Sequence, residues 1–367
     1  MSRRVWMVPG PTDVPPEVLA ARGHAIESAH GPEWVQAYID LCRRVGMLLG
    51  GDGFTTILPG SAHLAIEMAL RNAVPSGSPT VVVVSGHWGG RLAQIGTSLG
   101  HRVTVLWAGE VAVRPAEIGA ALDRTGAVAV CVVHGETSTG TLTPLEGIAR
   151  ETLERGATLV VDAVATAGVV PIRAEEMGAC LIAANSSKGL GSETGLAIVH
   201  ASSRAWEQIQ RQEISDIGHF SSLLNWKERR LDHEGASATI GSVAASQIRM
   251  LDRALASIER EGLEARYARH CSITHVLHDA LARRRFRVLS ASSPLPTVTV
   301  AQVPEGRRAG PLVRCLFDAG ICIDTGIGTG VGDSCIRVGH MGLSASAAMV
   351  ERLLEALDDA LERTDGP

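Results

Sequence analysis

Apolar positions in the first part of the chain follow two recurring patterns. Short apolar runs rich in β-branched residues predict strands at 54–58, 81–84, 103–107, 127–133, 159–161, 181–184 and 197–199. Apolar residues spaced three or four positions apart predict helices at 34–49, 62–72 and 145–155, and another after the turn at 85–91. Strands that alternate with helices predict an α/β fold whose parallel sheet is covered on both faces.

The pattern changes towards the C-terminus. Residues 242–284 show one long helical periodicity, with Gly262 as its interruption. Shorter elements are predicted after it: a strand at 296–303, a helix at 312–319, two strands around a glycine-rich loop at 322–342, and an amphipathic helix at 345–364. We therefore expect a smaller α+β unit, with a domain boundary near residue 255 and the N-terminal segment packed against this unit.

Composition excludes several classes of protein. The chain is 45% hydrophobic and 20% charged, as in globular proteins, and its net charge of −5 argues against a nucleic-acid partner. Apolar runs stay below the roughly 18 residues that a membrane-spanning helix needs, and the N-terminal stretch lacks the apolar core of a signal peptide. Seven scattered cysteines without a CxxC pair predict free thiols in a reducing cytoplasm and no zinc site. No metal is expected.

Two charged side chains stand out by their place in this pattern. Asp162 ends the apolar run 159–161, where a carboxylate is costly to bury unless a cation meets it. Lys188 is one of only two lysines, and it lies among small residues after the next predicted strand. We hypothesise a pyridoxal phosphate (PLP) site, with Lys188 as the Schiff-base amine and Asp162 on the pyridine nitrogen. The alternatives are a solvated lysine and an acid that caps a helix or pairs with an arginine.

Polar loops follow the predicted strands, at the edge of the sheet where ligands bind in open α/β folds. In PGSAH (59–63), the helix start and the Ser61 hydroxyl can bind a phosphate, or Ser61 can simply cap the helix. In SGHWGGR (85–91), Trp88 can stack on a ring or pack in the core. The hydroxyls of HGETSTG (134–140) can reach a cofactor oxygen or belong to a capped turn. Neither GxGxxG nor a Walker P-loop is present, which argues against a dinucleotide or ATP enzyme.

Arg337 is a lone cation between apolar residues near the end of a predicted strand. Its planar guanidinium suits a bidentate contact with a substrate carboxylate. The alternative is a structural ion pair.

Taken in order, these motifs resemble the class V, fold-type I PLP enzymes of the alanine–glyoxylate/serine–pyruvate aminotransferase group. The matching stretches are PGPT (9–12), GSAH (60–63), WGGR (88–91), HGETSTG (134–140), VDAVA (161–165), SSKGLG (186–191) and RVGHMG (337–342). The resemblance implies a large PLP-binding domain at 21–255 with a mostly parallel seven-stranded sheet, and a small C-terminal α+β domain at 256–367. It also implies that residues 1–20 line the active site, and that the enzyme is a homodimer with shared active sites.

The resemblance also assigns a role to each matched residue. Lys188 would hold PLP and move the substrate proton, while Asp162 would bind the pyridine nitrogen. Trp88 and Val164 would contact the two faces of the ring, and Thr137 the phenolic oxygen. The phosphate would be bound by Ser61, Ala62, His63 and Ser187, and by Thr239 of the neighbouring subunit. The substrate would be bound by Arg337 at its α-carboxylate and by a cavity wall that includes Gly10 and Pro11.

The activity implied is transfer of an amino group from a small 2-amino acid to a 2-oxo acid such as glyoxylate or pyruvate. One alternative is a PLP-dependent lyase or another enzyme of carbanion chemistry on the same scaffold. A desulfurase is disfavoured, because those relatives carry a histidine just before the lysine and this chain has Ser187 there. A non-catalytic binding protein that lost the cofactor is disfavoured by the intact Lys188, Asp162 and Arg337.

Overall fold

The computed structural model describes residues 4–23, 29–109, 113–212, 217–231, 237–328 and 331–364. The helices in these ranges are α1 (Pro16–Ala20), α2 (Pro32–Leu48), α3 (Ala62–Ala73), α4 (His87–Ser98), α5 (Pro115–Thr125), α6 (Leu145–Glu154), α7 (Ser203–Arg211), α8 (Leu223–Leu231), α9 (Ala245–Glu261), α10 (Leu263–Arg283), α11 (Ala309–Asp318) and α12 (Ala347–Arg363). The strands are β1 (Val5–Trp6), β2 (Phe54–Pro59), β3 (Pro79–Val84), β4 (Arg102–Trp107), β5 (Ala129–Val133), β6 (Gly135–Glu136), β7 (Thr141–Leu142), β8 (Thr158–Asp162), β9 (Cys180–Asn185), β10 (Leu196–Ala201), β11 (Arg287–Val288), β12 (Val298–Gln302), β13 (Ile321–Cys322), β14 (Asp324–Thr325) and β15 (Cys335–Gly339).

A seven-stranded sheet forms the centre of the larger part, in the order β2-β10-β9-β8-β5-β3-β4. Strand β10 is antiparallel to both of its neighbours, and the remaining pairs are parallel. The prediction of a mostly parallel seven-stranded sheet in an α/β fold is confirmed, and β10 is the one antiparallel strand of this sheet. Because the other strands run the same way, the loops after β2, β3, β5, β8 and β9 meet at one edge of the sheet.

The central strands are apolar throughout because helices cover both faces of the sheet. In β3, Val81 and Val83 belong to a buried cluster with residues of α2, α5, α6 and α9. Val82 and Val84 belong to a second cluster, on the other face, with residues of α3, α4, α7 and α8. Alternate side chains of one strand therefore enter two separate cores, which fixes the register of the strand.

A smaller four-stranded antiparallel sheet, in the order β11-β12-β15-β14, packs with α10, α11 and α12. The N-terminal segment joins this part of the molecule, because β1 pairs in parallel with β13 and the Met7 carbonyl accepts the N–H of Gly339 at 2.6 Å. Helices α9 and α10 meet at Gly262, whose φ of 82° suits glycine and ends the first helix. The predicted boundary near residue 255 falls inside α9, and it stays a prediction.

The seven cysteines are all free thiols. Within the described ranges, no helix has the length and apolar character required to cross a membrane. The same ranges contain no group of three or more side chains arranged to hold a metal ion.

Candidate active site

A cavity opens at the edge of the large sheet where the loops after β2, β3, β5, β8 and β9 meet. Its empty space, including the mouth, is about 600 Å³, within the usual range for ligand sites. Seven of the predicted site residues line it: Ala62, His63, Trp88, Thr137, Asp162, Val164 and Lys188. Topology therefore brings together residues that are more than 120 positions apart in the sequence.

Asp162 lies buried at the end of β8 and faces this cavity. Its Oδ1 accepts the N–H of Val164 at 2.9 Å, and no cation among the described residues bonds to it. The pKa of Asp162 is raised to about 6, mainly by burial and also by the nearby Glu136, while the Val164 N–H and Lys188 oppose the shift. The ionised form of a buried carboxylate with a single hydrogen bond is stabilised when a cationic hydrogen-bond donor binds to it.

Lys188 lies in the loop after β9, and its amine donates to the carbonyl of Pro9. The pKa of Lys188 is lowered to about 8, mainly by burial and also by Arg337, while Asp162 and Asp324 oppose the shift. A lysine with this pKa is partly deprotonated near neutral pH, as a Schiff-base amine or a general base requires. The predicted alternative of a solvated lysine does not describe this side chain.

The N-terminal turn packs directly on Lys188. Gly10 has a φ of 133°, and a side chain there would overlap the Lys188 amine. Thr12 donates from its N–H and hydroxyl to the Ser187 carbonyl at 3.0 and 3.2 Å, and its hydroxyl also lies 3.1 Å from the Lys188 carbonyl. Pro11 is exposed next to them. The backbone of the lysine loop is thus held by the first turn of the chain.

Trp88 is positioned by a buried glutamate from the neighbouring loop. Glu136 accepts the N–H groups of Trp88 and Gly89 at 3.0 Å each, where α4 begins, and it accepts the Ser138 hydroxyl at 2.6 Å. A carboxylate is favourable at the positive end of a helix. Burial raises the pKa of Glu136, while these hydrogen bonds oppose the shift. The indole Nε1 of Trp88 is buried without a partner among the described residues.

The start of α3 supplies free donors at the same cavity. Ser61 occupies the N-cap position of α3, but its side chain makes no capping hydrogen bond. Among the described residues, no acceptor binds the N–H groups of Ala62 and His63. Exposed N–H groups at a helix start bind anions such as phosphate. The alternative that Ser61 is an ordinary helix cap is therefore not what the structure shows.

Arg337 lies on β15, outside the lining of this cavity but close enough to Lys188 to influence its pKa. It donates from Nε to the Thr325 carbonyl at 2.8 Å and from Nη2 to Asp324 at 3.2 Å. Burial lowers the pKa of Arg337, while Asp324 and Glu136 oppose the shift. The structural ion pair that the sequence left open is thus present, with an acid whose side chain is 44% exposed.

Three predicted phosphate ligands, Ser61, Ser187 and Thr239, lie outside the cavity lining. The Ser187 hydroxyl accepts from the Asn185 amide at 3.1 Å. Thr239 lines a different cavity together with Ser237 and Gly241, and its hydroxyl donates to the Gly241 carbonyl at 3.0 Å. The residues that line this second cavity do not line the cavity around Lys188.

The family described as Aminotransferase class-V matches residues 10–353. The chain belongs to the class-V aminotransferase family. Rat alanine–glyoxylate aminotransferase is 28% identical over 368 residues, which cover 98% of this chain and 88% of the rat protein. Pyridoxamine–pyruvate transaminase of Mesorhizobium japonicum is 25% identical and covers 97% of this chain and 91% of its own length. The crystal structure of alanine–glyoxylate aminotransferase from Nostoc sp. superposes with a TM-score of 0.91 at 27% identity, covering 98% of this chain and 96% of that one.

Membership of the class-V aminotransferases confirms the family that the motifs resemble, the fold-type I architecture and the assignment as a transaminase. Enzymes of this family and fold depend on PLP. The role of each individual residue stays a prediction.

The residues around the cavity fit that cofactor. Asp162 lacks the cation that a protonated pyridine nitrogen would supply. Trp88 and Val164 offer an aromatic and an aliphatic wall, and the free N–H groups at the start of α3 can receive a phosphate. A buried amide oxygen of Asn185 is also without a partner among the described residues.

Sequence reasoning did not single out several residues that shape the site. Glu136 was noted only as one polar member of HGETSTG, and a carboxylate three residues after the apolar strand β5 was the signal that could have identified it. Thr12 lies in the matched PGPT turn, and Asn185 directly follows an apolar strand. Asp324 gave no signal, because its pairing with Arg337 arises from the register of β14 on β15.

Proposed function

We propose that this aminotransferase carries PLP on Lys188 and moves the amino group of a small 2-amino acid to a 2-oxo acid of the glyoxylate or pyruvate type. The observation that supports this most strongly is one cavity lined by Lys188, Asp162, Trp88 and the free start of α3. The names of the relatives support the substrate class, since they pair alanine with glyoxylate and pyridoxamine with pyruvate.

When bound, PLP withdraws electrons from the Cα of an attached amino acid, so that its proton becomes acidic. Asp162 would sustain this withdrawal by keeping the pyridine nitrogen protonated, because its buried carboxylate gains a cationic partner there. Thr137, whose buried hydroxyl lines the cavity, would bind the phenolic oxygen. Trp88 would hold the ring flat from one side, with Glu136 fixing the backbone of Trp88.

Lys188 would move the proton at the substrate Cα. Its pKa of about 8 leaves a useful fraction of neutral amine at physiological pH. The Pro9 carbonyl, which accepts its hydrogen bond, would orient the amine on the side of the N-terminal turn. Gly10 would leave room for it, because any side chain there overlaps the amine.

Arg337 would bind the α-carboxylate of the substrate. Its Nε bond to the Thr325 carbonyl holds the plane of the guanidinium, and the Nη2 bond to Asp324 would be exchanged for the substrate. Breaking the pair with Asp324 costs little free energy, because a partly exposed ion pair contributes little to stability.

The proposal includes a homodimer. Thr239 and the start of α3 line different cavities in one chain, which supports a role for Thr239 in the phosphate site of a partner subunit. Sedimentation of the PLP-bound enzyme, compared with Thr239→Val, tests this step: the variant should remain a dimer and bind PLP more weakly. A monomeric wild-type enzyme with full PLP affinity would contradict it.

The proposal also places the enzyme in a reducing cytoplasm, which the seven free thiols support. Fractionation of the cells that make it, with a known cytoplasmic marker, would test this location.

The decisive experiment has two stages. Purified protein with PLP should be yellow, and borohydride should fix the cofactor on the peptide that contains Lys188, with the peptide of Lys227 as the internal control. A panel of amino acids without an acceptor should then release one equivalent of the matching oxo acid per subunit. Turnover should begin only when glyoxylate or pyruvate is added. A protein that takes up no PLP, or that releases ammonia or a fragment of the amino acid, would contradict the proposal.

A further inference from the structure

A buried arginine on α10 binds the two loops that carry the cofactor residues. Arg266 is 6% exposed, and it donates from Nε to the Gly168 carbonyl at 2.7 Å and from Nη2 to the Gly189 carbonyl at 2.6 Å. Gly189 directly follows Lys188, and Gly168 lies in the turn that follows Asp162. The third arm of the guanidinium, Nη1, donates to Glu261 at 2.8 Å.

The same glutamate binds a second arginine, which holds the loop after β15. Arg269 donates from Nε and Nη2 to Glu261 at 2.6 and 3.0 Å. Its Nη1 donates to the carbonyls of Gly342 and Ala345 at 3.1 and 2.6 Å. His270 extends this contact: its Nδ1 bonds the Arg266 carbonyl at 2.8 Å and its Nε2 accepts the Gly342 N–H at 3.1 Å. Gly342 ends the motif that begins with Arg337.

The side chains of Arg266, Arg269 and Glu261 together carry one positive charge in excess. Two guanidinium groups share one carboxylate, and the excess positive charge is met by four backbone carbonyls, those of Gly168, Gly189, Gly342 and Ala345. Arg44 makes an instructive contrast, because it pairs with Glu259 and Asp252 on α9 through side chains alone. A cluster that only stabilised the helices would not need those carbonyls, which belong to the loops of the active site.

We infer that Arg266 and Arg269, joined through Glu261, are positioning residues that fix Lys188 relative to Asp162 and to Arg337. The inference rests on the proposed roles of those three residues. Arg266 sets the lysine loop against the loop of Asp162, while Arg269 holds the loop that follows the strand of Arg337 against the same glutamate. Lysine can replace Arg266 only in part, because its single amine cannot reach three acceptors in three directions.

Substitutions of the two arginines should therefore affect different kinetic parameters. Arg266→Met should lower kcat on the order of 10-fold to 100-fold with KM for the amino donor nearly unchanged, because Lys188 is misplaced for proton transfer. It should also shift the pH at which the absorbance of bound PLP changes. Arg269→Met should instead raise KM for the donor about 10-fold and leave kcat nearly unchanged, because Arg337 moves.

Arg44→Met is the matched control, since it removes an arginine bonded to two acids of α9 but to no loop of the site. All kinetics are measured well below the Tm of each variant. The control should lower Tm while kcat, KM and the absorbance profile stay as in the wild type. If Arg266→Met does not fold, Arg266→Lys should show the same kcat loss in weaker form.

Hydrogen exchange of the apoprotein gives a readout that does not depend on catalysis. Exchange should rise at 163–170 and 186–191 in the Arg266 variants, at 337–345 in Arg269→Met, and at neither stretch in Arg44→Met. Kinetics and exchange that match the Arg44 control would overturn the inference. A wild type that takes up no PLP would instead overturn the proposed function, and the exchange pattern would still decide the role of the cluster.

Discussion

The cofactor half and the carboxylate half of the site differ in how far the protein itself satisfies their charges. In the cofactor half, buried Asp162 accepts one backbone N–H and Lys188 donates to one carbonyl. Burial shifts the pKa of both towards the neutral form, to about 6 and about 8. In the carboxylate half, Arg337 already has an acid and a carbonyl as partners.

The difference shows where a ligand supplies a missing partner and where it must displace a partner that the protein already provides. A buried charge without a partner is costly, so a ligand that brings the missing partner gains the whole interaction. A charge with a partner must exchange it, so the net gain is smaller. Substitutions in the cofactor half should therefore have the larger effects.

Lys188→Ala should have the largest effect. It removes both the covalent attachment and the proton carrier, so kcat should fall on the order of 10³-fold or more. Steady-state transamination with alanine and glyoxylate checks this, and borohydride should no longer fix PLP to the chain. Lys227→Ala, which removes the other lysine of the chain, is the control and should retain activity. Substantial turnover by the Lys188 variant would remove this residue from the mechanism.

Asp162→Asn should remove a pH dependence from the stability of the apoprotein. The carboxyl pKa is about 6 when folded and 3.8 in the reference state, so the folded chain binds more protons between these pH values. Stability contributed by this group therefore falls as pH rises from about 4 to about 6, by roughly 3 kcal/mol. The variant, which cannot ionise, should gain about that much over the wild type across the same window.

Urea unfolding of both apoproteins at pH 4 and pH 7 measures this gain. Added PLP should then stabilise the wild type more than the variant at pH 7, because only the carboxylate binds a protonated ring nitrogen strongly. A stability difference that does not change with pH would show that Asp162 is ionised at its ordinary pKa.

Arg337→Ala should mainly affect substrate binding. Loss of a charged hydrogen-bond partner at a partly buried site should raise KM for the amino donor about 100-fold, with a smaller change in kcat. The absorbance of bound PLP should stay as in the wild type, which separates this variant from those of the cofactor half. An unchanged KM would remove Arg337 from the carboxylate site.

Much of the fold was predictable because its signals are local. The all-apolar runs of β3, β5, β8 and β9 and the helical spacing of α2, α3 and α6 are read directly from neighbouring residues. The orientation of β10 was not predictable, because an apolar strand has the same composition in either direction. The helices α7 and α8 were also missed, since polar and charged residues outnumber the apolar ones in both.

The residues of the site also divide into those that local patterns predict and those that depend on long-range contacts. Asp162, Trp88 and Lys188 follow strands, so their place at one edge of the sheet follows from the topology. The contacts of Arg266 with Gly168 and Gly189 join positions 98 and 77 residues apart, which no local pattern announces. The pair between Asp324 and Arg337 depends in the same way on how two strands align.

Asp324→Asn should have the smallest effect, and in the opposite direction to Arg337→Ala. It removes the partner that the substrate must displace and the negative charge that a substrate carboxylate would meet, while the Thr325 carbonyl still holds the guanidinium. Because the acid is 44% exposed, the change should be at most about fivefold, seen as a lower KM for the amino donor with kcat unchanged. Initial rates at several donor concentrations measure it, with Asp40→Asn as the control, because Asp40 on α2 is equally exposed and also pairs with an arginine. A raised KM would mean that Asp324 orients Arg337 for the substrate, and the carboxylate half would then depend on its ion pair as strictly as the cofactor half depends on its ligand.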